Sequence, residues 1–257
     1  MIVLPRWIRA LSSGTGFVLF GIGSLVLVVV GFPLVRLTTR DPELRVRRVR
    51  LLIERAFRLF IRSLVWLGAI TVRFEGRERL ASPGPLLVIA NHPSLIDVCL
   101  LGSWMPDADC VVKREAWSNF FLGGVVRAAN YIPNDGGEAL IETCVARLRE
   151  GSKLLLFPEG TRSPKGELRA FKRGAARIAL QAGCPVLLVD IDCRPPFLGK
   201  GDPWYQVPFE LPCYTVTVHE PAAIAHDEGA TEASEASEAR RVSALWRDGF
   251  KERLGHV

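Results

Sequence analysis

Twenty-two consecutive residues, Gly14 to Val35, carry no charge and are mostly apolar. As an α-helix they would extend about 33 Å, close to the thickness of a bilayer's hydrocarbon core. Gly21, Gly23, Gly31 and Pro33 would weaken a water-exposed helix but are tolerated in membrane helices. The run is too long for a secretory signal core, and no small-residue cleavage site follows it. It reads as an uncleaved anchor. The same residues also allow a hairpin re-entering one leaflet, or a buried helix of a soluble domain.

The chain's formal charge of +6 is concentrated directly behind this run, where Arg36 to Arg62 holds nine arginines and three acidic residues. Only Arg6 and Arg9 precede the run, so the positive-inside asymmetry predicts that everything after it stays cytoplasmic. The basic zone suits anionic headgroups, and a solvated arginine-rich helix fits it as well. No basic patch interleaved with aromatics and no nucleic-acid module is present, so nucleic acid is not an expected partner. Within Arg45 to Ile70, Arg48, Arg55, Arg58 and Arg62 recur at helical spacing beside an apolar stripe. That pattern suits a helix lying on a bilayer or packed on the rest of the chain. Six cysteines without a C-x-x-C pair argue for reduced, structural thiols, and neither metal nor cofactor is expected.

From Thr71 onward, short apolar runs alternate with helical patterns. Thr71–Glu75, Leu86–Ala90, Cys110–Val112, Tyr131–Pro133, Lys153–Phe157, Pro185–Ile191 and Tyr214–Val218 read as strands. Leu95–Trp104, Glu115–Ala129, Glu138–Glu150, Gly174–Ala182 and Arg240–Leu254 read as helices. His226 to Ala239, rich in Ala, Glu and Ser, reads as a solvated linker. The expected class is α/β: a central, largely parallel mixed sheet flanked by helices, with an N-terminal membrane-anchoring helix. The expected divisions are 1–40 (anchor), 41–70 (basic interfacial helix), 71–222 (the α/β domain) and 223–257 (linker and terminal helix). P-loop, G-x-G-x-x-G and G-x-S-x-G patterns are absent, which removes simple nucleotide-binding and serine-hydrolase readings.

Two stretches carry chemistry. Asn91-His92-Pro93-Ser94-Leu95-Ile96-Asp97 follows a strand, and that edge of an open α/β sheet is where ligands bind. A turn between His92 and Asp97 lets the carboxylate reach one imidazole nitrogen and leaves the other to accept a proton. A structural histidine beside a helix-capping aspartate has the same pattern. Phe157-Pro158-Glu159-Gly160-Thr161-Arg162-Ser163 ends a second strand; Gly160 permits close backbone approach, and Arg162 suits a phosphate or carboxylate. An ordinary turn with a solvated arginine would read the same.

Taken together, the two stretches resemble the glycerolipid acyltransferases, the family of lysophosphatidate acyltransferases, which pair an N-H-x-S-x-x-D block with a downstream F-P-E-G-T-R-S block. The resemblance covers roughly Arg73 to Val218 and includes Phe171-Lys172-Arg173-Gly174. It implies a membrane-associated O-acyltransferase moving a fatty acyl group from acyl-CoA or acyl carrier protein to a lysophospholipid or related lipid hydroxyl. His92 would be the general base and Asp97 its orienter. Ser94, Lys113, Glu159, Gly160, Thr161, Arg162 and Lys172 would serve substrate binding, and backbone N–H groups of the turns would supply oxyanion donors. A thioesterase or lipid hydrolase using the same site is the alternative. Lys113-Arg114-Glu115 resembles the start of the family's middle block, but Asn134 stands where an arginine that holds the acceptor phosphate is expected. Tyr131-Ile132-Pro133-Asn134 and the Cys193-to-Trp204 region resemble members encoded with bacterial aryl-polyene pigment genes. That likeness implies acylation of a pigment-lipid precursor at a bacterial inner membrane, with the catalytic domain cytoplasmic.

Overall fold

The computed structural model describes residues 4–222 and 232–255. A helical run opens the chain: α1 (Arg6–Val26), a wider π-type turn over Leu27–Gly31, and α2 (Phe32–Thr38). After Thr39 the chain turns, and α3 (Pro42–Trp66) begins with Asp41 capping the amides of Glu43 and Leu44 at 2.8 and 3.0 Å. Arg6–Thr38 is long and apolar enough to cross a membrane by length and composition. It does not stand apart from the domain, however. Gly16 lets α1 lie against α3, since a Cβ there would fall 2.3 Å from Leu64 Cδ2. Phe17 and Phe20 meet Phe60 at ring-centroid distances of 6.3 and 4.8 Å. The outward face stays bare, with Trp7, Leu11, Val18, Ile22, Val29 and Leu34 all exposed.

The basic helix α3 packs its apolar stripe inward: Ile53, Phe60, Ile61 and Leu64 are buried, while Leu59 and Trp66 face out. Two of its arginines are engaged by the rest of the domain. Arg50 is buried, pairs with the fully buried Asp109 at 2.7 Å and donates to the Ala129 carbonyl at 2.9 Å. Arg58 pairs with Glu54, donates to the Ser103 carbonyl at 3.1 Å and covers Trp104.

The sheet has seven strands: β1 (Thr71–Glu75), β2 (Leu86–Ala90), β3 (Ala108–Lys113), β4 (Ile132–Asn134), β5 (Lys153–Leu156), β6 (Val186–Arg194) and β7 (Cys213–Val218). Their order is β1-β7-β6-β2-β5-β3-β4. The five strands from β6 to β4 are mutually parallel, and β1 and β7 run the other way because β6 and β7 pair antiparallel. β2 and β5 are buried at every position, as expected of apolar runs covered on both faces, with Lys153 at the start of β5 the one charged residue among them. One face is covered by α3 and α4 (Asp97–Gly102), the other by α7 (Gly137–Arg149), α8 (Gly174–Ala182) and α9 (Glu232–Leu254).

Two element assignments need correction. Glu115–Ala129 is not one helix but two, α5 (Glu115–Ser118) and α6 (Gly123–Ala128), because Asn119 Oδ1 accepts the amides of Phe121 and Leu122 and starts a new turn. The predicted solvated linker is helical from Glu232; its earlier part, 223–231, lies outside the described residues. Ala239, Val242, Trp246 and Phe250 recur at helical spacing and bury α9 against the core.

Candidate active site

The parallel strands end on one edge, and from there the chain delivers both sequence blocks to one place. Asn91, just past β2, closes the β2–β6 ladder with its side chain. Its Oδ1 accepts the Ile191 amide at 2.7 Å, and its Nδ2 donates to the Ile191 carbonyl at 2.8 Å. His92 therefore leaves the sheet from a fixed point. Its ring stacks on Phe157 at 4.2 Å between centroids, and its side chain remains 17% exposed.

Asp97 opens α4 and is fully buried. Its Oδ2 lies 2.8 Å from His92 Nδ1 and accepts the Ser94 amide at 2.7 Å, while Oδ1 accepts the Ser94 hydroxyl. Such donors offset the hydration that a buried carboxylate loses. The predicted helix start at Leu95 moves to Asp97: the first intrahelical bond runs from the Leu100 amide to the Ile96 carbonyl at 2.8 Å, and the Leu95 amide donates to the Leu198 carbonyl at 3.0 Å.

The second block is locked onto the first. Glu159 is 4% exposed. Its Oε1 accepts the His92 amide at 2.8 Å, and its Oε2 accepts the Arg169 amide at 3.2 Å and the Ser163 hydroxyl. The Ser163 amide returns a bond to the His92 carbonyl at 2.8 Å. This changes the reading of two expected substrate contacts. Glu159 and Ser94 point inward, with every carboxylate and hydroxyl oxygen occupied by the turn itself. They shape the site and offer no free group to a ligand.

Arg162 is partly committed: its Nη1 donates to the carbonyls of Leu198 and Gly199 at 3.2 and 2.8 Å, and its other nitrogens have no hydrogen bond among the described residues. Lys172 lies over Gly160, and neither Lys172 nor Arg173 has an ion-pair partner among the described residues. Gly160, Lys172 and Arg173 line a cavity of about 700 Å³ whose wall includes Phe157, the ring under His92, and Asn134. Asn134 sits in register with Lys113 at the ends of β4 and β3, two strands beyond His92, so Lys113 belongs to the same edge but not to the His92 turn. Thr161 is half-buried between Gly160 and Arg162.

Gly160 has φ +69°, where a side chain is strained, and a Cβ would fall 2.8 Å from Lys172 Nζ. Gly160→Ala is therefore expected to cost about 1 kcal/mol or more and to lower the thermal midpoint by about 2–4 °C. A calorimetric scan of both proteins checks this.

Tyr214 is a neighbour that the sequence did not flag. It is fully buried and donates to the Phe197 carbonyl at 3.0 Å; burial pushes its phenol well above the usual range. Burial likewise pushes the Cys193 thiol up to about 12, and Cys99 higher still, so neither thiol serves as a nucleophile here.

The acyltransferase family model matches residues 71–191. The chain is 31% identical over 140 residues to human 1-acyl-sn-glycerol-3-phosphate acyltransferase beta, covering 51% of this chain and 49% of the relative. It is 27% identical over 189 residues to the 1-acyl-sn-glycerol-3-phosphate acyltransferase of Cocos nucifera, covering 71% and 59%. The chain thus spans about half the length of the first curated relatives it matches. Among solved structures, the 1-acyl-sn-glycerophosphate acyltransferase of Thermotoga maritima superposes with a TM-score of 0.70 at 25% identity, over 95% of this chain and 97% of that one. The two blocks thus meet at one sheet edge inside a fold similar from end to end to that enzyme's, and both blocks lie within the residues that match the acyltransferase family model.

Proposed function

We propose that the protein is a membrane-attached O-acyltransferase that moves a fatty acyl group from acyl-CoA or acyl carrier protein to the hydroxyl of lysophosphatidate or a related lysolipid. The observation that carries this reading is the 2.8 Å contact between His92 Nδ1 and the fully buried Asp97 carboxylate. An acceptor-only carboxylate on Nδ1 assigns the proton to that nitrogen and leaves the Nε2 lone pair for the substrate.

Nε2 then takes the proton of the acceptor hydroxyl as its oxygen bonds to the thioester carbonyl carbon. The C–S bond breaks, and the imidazolium returns the proton to the departing thiolate. A thioester is already activated, so no covalent enzyme intermediate is needed. The developing oxyanion requires donors, and the turns offer fewer than their sequence promises. The amides of His92, Ser94, Leu95, Gly160 and Ser163 are all engaged within the protein, whereas those of Thr161 and Arg162 carry no bond among the described residues. These two are our oxyanion donors, each worth about 3–4 kcal/mol in such a role. Lys172, Arg173 and the uncommitted nitrogens of Arg162 supply positive charge for an anionic head group.

Membrane attachment follows from the bare face of α1. Because α1 rests on α3 along its length, the helix submerges beside the domain in one leaflet instead of crossing as an isolated rod. Trp204, Tyr205 and Phe209, exposed near its first turns, and Phe120 and Phe121, beside Gly21, extend the same apolar face. The basic residues that follow support a position at the cytoplasmic side of a bacterial inner membrane.

The test is transfer of labelled acyl groups by the purified full chain in phospholipid vesicles, with lysophosphatidate or an uncharged hydroxyl lipid as acceptor. Acceptor-dependent ester formation is expected, and release of free fatty acid without acceptor would overturn the reading in favour of a hydrolase. Asn134→Arg adds a cation to the cavity wall and is expected to raise kcat/KM for lysophosphatidate several-fold without improving the uncharged acceptor. An electrostatic contribution of about 1 kcal/mol gives that size.

A further inference from the structure

The segment from Pro195 to Pro212 has no helix or strand, yet it lies between the membrane helix and the active site. With no ladder of its own, its carbonyls take donors from side chains. On the membrane side, α1 provides them. Arg9 is 1% exposed, and its guanidinium donates to the carbonyls of Leu4, Pro208, Phe209 and Glu210 at 3.1, 2.8, 2.5 and 2.8 Å. Arg6 donates to the Val207 carbonyl at 3.2 and 3.0 Å and lies over the Phe209 ring, and Ser13 donates to the Trp204 carbonyl at 3.1 Å. Arg9 has no carboxylate partner among the described residues. A buried arginine spent wholly on carbonyls holds a backbone shape and neutralises no charge.

On the other side, the same segment grips the site. The Leu198 carbonyl accepts the Leu95 amide from the His92–Asp97 turn, and both Leu198 and Gly199 carbonyls accept Arg162. Leu198 has φ +58°, a conformation that a branched side chain adopts only when its surroundings enforce it. Lys165 and the Gly199 amide both meet Asp202, at 2.9 and 3.1 Å, and close the loop on itself.

We infer that Arg9, in the membrane helix, is a positioning residue for Arg162: through the 195–212 segment it sets the carbonyls that orient the guanidinium toward the acceptor head group. The inference rests on the acyl-transfer reading for its kinetic consequence but not for its structural one. The membrane helix is then more than an attachment device, because removing its grip loosens the acceptor side of the site while His92 and Asp97 keep their own bonds.

The experiment compares Arg9→Gln, Arg9→Lys, Ser13→Ala and Arg162→Gln as full chains in vesicles. Arg9→Gln is expected to raise the acceptor KM about tenfold, the size of losing hydrogen bonds from a charged donor, with kcat and the donor KM within twofold. Arg9→Lys should recover part of the loss, and Ser13→Ala should move in the same direction by less. The double variant Arg9→Gln with Arg162→Gln should be no worse than Arg162→Gln alone, since both act through one contact. Hydrogen exchange gives a readout independent of activity: amides in 195–206 and that of Leu95 should exchange faster in Arg9→Gln while vesicle binding is unchanged. Ser13→Ala, which removes one bond, keeps this arm usable if Arg9→Gln does not fold. Unchanged exchange in that segment, multiplicative losses in the double variant, or a kinetic defect explained by release from vesicles would overturn the inference. A wild-type chain that transfers no acyl group would sink the acyl-transfer reading, leaving exchange to decide this one.

Discussion

Replacing His92 with alanine is expected to reduce acyl transfer by about 10²–10⁴-fold, the usual contribution of a positioned general base. The protein should remain folded. The imidazole is partly exposed, and its backbone amide and carbonyl, which tie the turn to Glu159 and Ser163, are untouched by the substitution. Circular dichroism and vesicle binding should match the parent, and labelled ester formation should be nearly absent. Asp97→Asn should approach the same loss by a different route. An amide nitrogen facing Nδ1 favours the tautomer with its proton on Nε2, which leaves the base with nothing to accept a proton. It should also destabilise, because Asp97 is fully buried and accepts from Ser94 as well. Transfer by His92→Ala at near parental rates would remove the base from the mechanism.

Glu159→Ala is expected to be the most damaging change at the site, affecting stability and activity together. It strands the part-buried amides of His92 and Arg169 and the buried hydroxyl of Ser163. At about 1–3 kcal/mol for each unsatisfied group, the loss reaches several kcal/mol. Transfer should fall about 100-fold or more even at temperatures where the variant is folded, because the His92 turn loses the contact that sets it against the second block. Glu159→Gln should recover much of the stability: its carbonyl can accept an amide, and its NH₂ can donate to the Ser163 hydroxyl, which accepts as readily as it donates. Urea unfolding alongside single-turnover transfer separates the two effects. Equal activity of Glu159→Ala and the parent would show that the carboxylate does not hold the site.

Much of this architecture could be read along the chain, for identifiable reasons. β2 and β5 are apolar runs that stop at Asn91 and Pro158, and both their type and the position of the chemistry at their ends follow from that. The Glu115–Ala129 stretch misled because helical propensity hides a side chain that competes for the backbone, and Asn119 does so. The start of α9 misled because Ala, Ser and Glu dominate its composition, while four buried residues spaced along one face decide its fate. In the site, identity was legible and direction was not. Nothing local says that Glu159 faces inward, since the His92 amide that it accepts arrives from 67 residues away. Tyr214 and the carbonyls of Leu198 and Gly199 left no sequence signal, because their role comes from long-range backbone placement.

The amide of Asn91 imitates a peptide unit and adds one more rung between β2 and β6. Regions of a protein open at different free energies: loops fray readily, and central strands open only with the whole molecule. A histidine on an ordinary loop would share the loop's frequent excursions. Here the added rung carries the cooperative unit of the central strands up to the residue before His92. The backbone that presents His92 is therefore expected to open only with the central strands, while the loops around it fray on their own.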